Sequence, residues 1–363
     1  MTNSGIPIRE GVWARWRGRV DPATLAAFAC ILALLFAGSL YSQSFLSPEY
    51  LLQQLKVASF LGIIATGMMI VILLGQIDLS APWAIAMGGM MSASATAWGP
   101  AGPWIAIPFG VGCGVALGLV NGFGVAYLRI PSMIVTLAVN AVAQGLMVVH
   151  TGGFSPQDSA SPAMRFIATG DVVFGLPNAL IVWGVIGGGA TLLLSRTTFG
   201  RAVYAIGNRE RAAYLSGIDP QRVVLIAFAL SGALSAFAGV LLAGYASKAA
   251  QAMGDPYLLP AIAAVVLGGA SILGGRGNYL GTVAGVILVT LLQSILSVMQ
   301  IPEAGRQIAY GSVIIVMLLF YGRGAAIRAG RRCPLAVPRR PGPSPRRRPC
   351  RVPPGRRRPS ART

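Results

Sequence analysis

Apolar residues run along this chain in long blocks with little polar interruption, at about 23–41, 51–74, 82–98, 103–127, 131–150, 172–194, 223–245, 258–275, 279–299 and 304–321. A helix crossing a hydrocarbon core of about 30 Å needs roughly 20 mostly apolar residues. The pattern therefore predicts an all-α, polytopic transmembrane bundle with about ten spans. Gly and Pro punctuate several blocks, so some spans are expected to be broken or re-entrant.

The first block follows Arg9, Arg15, Arg17 and Arg19 and opens after Asp21-Pro22. It reads as an uncleaved anchor. The competing reading is a signal peptide with Ala37 and Ser39 before the cut, but the block is long for such a segment and more spans follow it. With the N-terminal segment 1–22 in the cytoplasm, alternation places Arg129, the stretch from Arg196 to Arg222, Arg276 and the C-terminus there too. Positive residues favour that side, and the opposite loops carry only a sparse, mixed set of charges, so both termini are expected to be cytoplasmic.

Composition supports a membrane chain. Of 363 residues, 55% are hydrophobic and 11% charged, where a soluble domain carries about 25% charged residues. The formal net charge of +19 would suggest nucleic acid, yet residues 322–363 alone hold 14 of the 29 Lys and Arg and no acidic residue. The transmembrane domain at 23–321 is only mildly basic, and no nucleic-acid partner is expected. The tail at 322–363 alternates Arg, Pro and Gly without apolar periodicity and reads as disordered. Its abrupt change of composition also fits a gene end read in a shifted frame.

Enzyme chemistry finds little to use. His150 is the one histidine, and Cys30, Cys113, Cys333 and Cys350 form no C-x-x-C pair, so no catalytic residue, metal site or disulfide is assigned. A Walker A phosphate loop is also missing: Gly274-Gly275-Arg276-Gly277 lacks the Gly-Lys-Ser/Thr that such a loop requires. No cofactor is expected on this chain.

Polar chemistry inside the apolar blocks is concentrated at Gly75-Gln76-Ile77-Asp78-Leu79-Ser80-Ala81-Pro82. An aspartate at a helix centre costs about 2.5–3.5 kcal/mol on insertion scales, so Asp78 should face a polar cavity or a partner. Pro82 suits the first turn of a helix that Asp78 or Ser80 could cap. Broken helices of this kind often line solute paths; the plainer alternative is a tight interfacial turn with Asp78 in water. Asn140 and Gln144, one turn apart, offer hydrogen bonds to a polar solute or to a neighbouring helix. A second interrupted stretch, Pro260 to Asn278, is expected to be bent or re-entrant. Gly110, Gly114, Gly118 and Gly122 form a smooth stripe for close helix packing.

The stretch from Arg196 to Arg222 is too polar to cross lipid. Asn208 is placed as the cap of a short helix through Arg209, Glu210, Arg211, Tyr214 and Leu215, ended by Gly217 and Pro220. Tyr214 and Leu215 then have no membrane to bury them, which suits a groove on a cytoplasmic partner or, alternatively, the lipid surface.

These motifs together resemble the permeases of bacterial ABC importers of the ribose/xylose type, within the branched-chain amino-acid permease superfamily. The resemblance covers roughly residues 50–323. It rests on Gly75 to Ser80, Asn121-Gly122, Ile130-Pro131 with Ile134-Val135-Thr136-Leu137, Thr151-Gly152-Gly153, Thr198 to Arg201, Tyr204 to Asn208, Leu215 to Ile218, Ala261 to Gly269 and Gly274 to Gly277. It implies a multi-pass protein of the bacterial inner membrane, working as a homodimer or paired permease. The implied partners are a cytoplasmic ATP-binding subunit that uses the ATP and a periplasmic solute-binding protein, with membrane lipid around them.

On the same resemblance the stretch from Arg196 to Arg222, including Arg201, is the coupling segment, and Asn121 joins Gln76, Asp78, Ser80, Asn140 and Gln144 along the candidate solute path. The chain departs from the family pattern at Gln76, at Pro82-Trp83 and at Gln144, so Trp83 is counted as a path residue that reshapes a pocket. A small polar solute, in first place a monosaccharide, is expected. The rival readings are amino acids or nucleosides as cargo, or a secondary transporter or channel in which Asp78 carries protons or ions.

Overall fold

The computed structural model describes residues 22–41, 43–154, 158–173, 175–312 and 315. The Arg-rich N-terminus and the basic tail lie outside the described residues. The described chain is almost wholly helical, as hydrocarbon demands, because a backbone without water must satisfy its N–H and C=O groups internally. Eleven α-helices are assigned among the described residues: α1 (Pro22–Tyr41), α2 (Pro48–Leu73), α3 (Ala81–Thr96), α4 (Gly102–Ala126), α5 (Ser132–His150), α6 (Pro162–Thr169), α7 (Asn178–Arg196), α8 (Thr198–Leu215), α9 (Pro220–Ala246), α10 (Leu258–Leu267) and α11 (Tyr279–Val298). A further helical stretch covers 303–312. One short antiparallel hairpin pairs β1 (Asp171–Val173) with β2 (Leu176–Pro177).

Six helices among the described residues, α2, α4, α5, α7, α9 and α11, are long and apolar enough to cross a membrane. Ten blocks thus become a bundle with six such helices and several shorter pieces. The block at 82–98 becomes the 16-residue α3. The block at 258–275 becomes the 10-residue α10 followed by irregular backbone. The block at 172–194 splits between the hairpin and α7 because Gly175 and Pro177 interrupt it.

Helix α2 is the core of the bundle. Its side chains from Ala58 to Leu73 are buried on every face. Its start is set by Ser47, whose hydroxyl accepts from Tyr50 N at 3.3 Å, with Pro48 and Glu49 in the first turn, the residues that a helix N-terminus favours. Around it, α9 packs on α2, α3 and α4, and α11 packs on α1, α2 and α10.

The contact between α4 and its neighbours is made at backbone level. A Cβ on Gly110 would lie 2.5 Å from Gly88 O, on Gly114 2.4 Å from Gly232 O, and on Gly118 2.3 Å from Phe228 O. On Gly122 it would lie 2.9 Å from Leu225 Cα. Only hydrogen fits there, and helices meeting this closely gain dispersion contacts that lipid cannot replace. By contrast α4, α5 and α7 leave apolar side chains such as Val120, Leu137, Leu146, Val185 and Leu192 exposed, a surface suited to hydrocarbon.

Candidate functional site

Helix α2 ends in a Schellman turn: Gly75 N donates to Ile72 O at 2.8 Å and Gln76 N to Val71 O at 3.2 Å. Gly75 takes φ +76° there, a conformation that glycine adopts without a Cβ penalty. The chain then folds back into the bundle before α3 begins. Two of its N–H groups are taken up by the first turns of α5, with Ile77 N donating to Ser132 Oγ (3.3 Å) and Leu79 N to Thr136 Oγ1 (3.1 Å).

Asp78 sits at the centre of this break. Its Oδ1 accepts from Ser80 N (3.0 Å) and from Ser80 Oγ (2.6 Å), and its Oδ2 accepts from Ser231 Oγ of α9 (2.8 Å). Asn121 of α4 donates through Nδ2 to Ser80 Oγ at 2.7 Å. Asp78, Ser80, Asn121 and Ser231 are each at most 1% exposed. In this structure the carboxylate is therefore not in water, and neither ion pair among the described residues, Arg222–Asp219 or Arg306–Glu303, involves it. Ser80 precedes α3 but makes no side-chain cap to it; its hydroxyl links Asp78 to Asn121 instead.

The structure thus brings together Asp78, Ser80 and Asn121 and joins them to α5 and α9. Gln76 is half-buried just before them. Trp83 is buried, one turn into α3, in an apolar cluster with Met87, Ala143 and Met147. Asn140 is half-buried with a carbonyl Oδ1 that has no partner, and Gln144 of α5 is exposed; neither joins the Asp78 network. Sequence reasoning missed Ser231, Ser132 and Thr136. Ser231 carried a usable signal, a polar residue in the middle of an apolar block, the same signal that singled out Asp78.

The polar stretch after α7 also has a defined shape. Thr197 Oγ1 accepts from Gly200 N at 3.2 Å and starts α8, which runs from Thr198 to Leu215 and is interrupted once, at Arg209 (φ −157°, ψ 100°). The expected short helix capped by Asn208 is therefore the second part of a longer one. The break falls one residue later than expected, and Asn208 supplies no cap. The first part was hidden because only Ala202, Val203 and Ile206 carry its buried stripe.

Beyond the break, Gly217 N donates to Tyr214 O (3.0 Å) and Ile218 N to Ala213 O (3.1 Å), the bonding of a glycine-ended helix. Asp219 then caps α9, accepting from Gln221 N at 3.0 Å. Arg201, Asn208, Arg209, Glu210, Arg211 and Gly217 are all exposed. Tyr214 and Leu215 are 68% and 85% exposed, so this turn presents two large apolar side chains within a basic surface.

The family described as "Branched-chain amino acid transport system / permease component" matches residues 50–321. The ribose import permease protein RbsC of Haemophilus influenzae is 34% identical over 299 residues, covering 81% of this chain and 91% of that protein. The Bacillus subtilis protein of the same name is 36% identical over 296 residues, with the same two coverages. The L-arabinose ABC transporter permease protein AraH of Azospirillum brasilense is 34% identical over 320 residues, covering 86% of this chain and 89% of that protein. No solved structure matches the chain. The match runs from the first turn of α2, through the Asp78 break and α8, to the end of the apolar sequence, and on that extent this chain belongs to the family of permease components of branched-chain amino acid transport systems.

Proposed function

We propose that this chain is the permease subunit of an ATP-driven importer that moves a monosaccharide across the bacterial inner membrane. The observation that carries the reading is its similarity to ribose and L-arabinose permeases along about nine-tenths of their length. ATP is hydrolysed in a separate cytoplasmic subunit, which docks on Tyr214, Leu215 and the charged residues Arg201, Arg209, Glu210 and Arg211. A periplasmic binding protein delivers the solute, and two permease copies, or this chain and a paired permease, enclose the route. Both termini are cytoplasmic. The chain crosses ten times, with α3 and α10 as the short halves of broken spans and the stretch from 303 as the last crossing.

The solute route passes the Asp78 break. Ser80 links Asp78 to Asn121 by hydrogen bonds, so the route opens only when these bonds loosen; Gln76, Trp83, Asn140 and Gln144 line the approach. Reconstitution tests the reading. The chain is placed in proteoliposomes with an ATP-binding subunit and a solute-binding protein of the same organism, and uptake of radiolabelled D-ribose, D-xylose and L-arabinose is measured. ATP-dependent uptake of one pentose is expected. Uptake that ignores ATP and follows a proton gradient would overturn it.

A further inference from the structure

Three segments far apart in sequence meet at the end of α2 with no side chain between them. Leu73 O, the last helical carbonyl of α2, accepts from Gly275 N at 2.9 Å. Gly207, just before the break in α8, lies against the same carbonyl. A Cβ added there would be 1.9 Å from Leu73 O and 2.6 Å from Gly275 N. A Cβ on Gly275 would be 2.9 Å from Asn208 Cα, and one on Gly274 would be 2.7 Å from Gly75 N and 2.9 Å from Gly207 O. Tyr204 Oη, one turn earlier in α8, donates to Gly277 O at 2.9 Å.

Backbone-to-backbone contact of this kind cannot absorb a displacement by a change of rotamer. Movement of one segment has to be passed to the others, because close-packed interiors transmit strain. One side of the junction leads through Arg209 to the exposed turn that carries Tyr214 and Leu215. The other side leads within three residues, from Gly75 to Asp78, to the hydrogen-bonded break.

We infer that Gly207, Gly274 and Gly275, with Tyr204, are positioning residues that join the docking turn of α8 to the Asp78 break, so that motion of the ATPase subunit reaches the solute route through the end of α2. The inference rests on the reading that the ATPase subunit docks on that turn. The solute is not contacted by any of the four; their effect is on the number of solutes moved per ATP.

The test compares Gly207→Ala, Tyr204→Phe and Gly188→Ala in the reconstituted complex, with a mixture of radiolabelled D-ribose, D-xylose and L-arabinose as probe. Gly188 has open space where a Cβ would go and serves as the control. In the fraction of Gly207→Ala that folds and holds the ATPase subunit, ATP is expected to be hydrolysed while uptake per ATP falls about tenfold, the scale of an ordinary coupling free energy between sites. Tyr204→Phe should lower the same ratio by a smaller factor, and Gly188→Ala should leave it unchanged.

A wild-type ratio in both junction variants overturns the inference. If Gly207→Ala fails to assemble, Tyr204→Phe decides alone: a lowered ratio supports the junction and an unchanged one refutes it. The docking reading is tested separately by co-purification of the ATPase subunit with a Tyr214→Asp, Leu215→Asp variant. Undiminished co-purification there refutes docking without reference to the junction.

Discussion

Asp78 offers a test in which charge and hydrogen bonding can be separated. Its carboxylate receives three hydrogen bonds, two from Ser80 and one from Ser231, in a place that is 1% exposed. In Asp78→Ala all three donors lose their acceptor, and at about 1 kcal/mol of net stability per hydrogen bond the loss is about 3 kcal/mol. In Asp78→Asn the amide oxygen still accepts from Ser80, and the new NH2 donates to Ser231 Oγ once that hydroxyl turns to accept. The isosteric change should cost about 1 kcal/mol, since Ser80 keeps its acceptor and Ser231 keeps a partner.

Purified variants are unfolded by heat in one detergent, with monodisperse protein read by size-exclusion chromatography, and pentose uptake is measured in parallel. The expected order of stability is wild type, then Asp78→Asn close behind, then Asp78→Ala well below. Uptake per assembled complex should fall further in Asp78→Ala than the amount of assembled complex does. Equal destabilisation by Asn and Ala would refute the hydrogen-bond account, because the charge itself would then be what the fold requires. Wild-type uptake by assembled Asp78→Ala would show that the residue has no part in transport.

Other outcomes follow from the same geometry. Replacing both Tyr214 and Leu215 by Asp should leave the folded permease intact, as both side chains are exposed, while ATP-driven uptake is lost; unchanged uptake counts against docking at this turn. Gly118→Leu should sharply reduce recovery of folded protein, because its Cβ alone would lie 2.3 Å from Phe228 O and helix backbones have no rotamer with which to yield; normal yield on size exclusion would contradict the packing. Uptake in energised cells should survive a protonophore and stop when ATP is depleted, and the reverse result would favour a secondary transporter.

The sequence shows most of the bundle but not the depth of each piece. Apolar blocks mark α2, α4, α5, α7, α9 and α11 well, because lipid asks only for length and apolarity. The same rule cannot tell a crossing helix from a half helix. The apolar block around α10 continues past Leu267 although its backbone turns irregular at Gly268. Helix α6 was invisible for the opposite reason: it is short and amphipathic, held by Ser161, whose Oγ accepts from Met164 N at 3.2 Å, and by burial of Met164 and Ala168.

At the candidate site, Asp78 and Ser80 stood out because polarity is conspicuous in an apolar block. Ser132 and Thr136 did not, since they are ordinary helix residues until the break folds back among them. The junction of Gly207 with Leu73 and Gly275 was hidden for a similar reason: glycine announces a turn or a close approach but never names the segment that approaches.

Docking of an ATPase subunit on α8 requires its exposed turn to face the cytoplasm. A single cysteine at Tyr214, in a chain whose native cysteines are replaced, can be probed with a membrane-impermeant maleimide in intact cells and in inverted vesicles. Labelling only in inverted vesicles, and protection from it when the ATPase subunit is bound, is the predicted result. Labelling from the outside of intact cells would contradict the account.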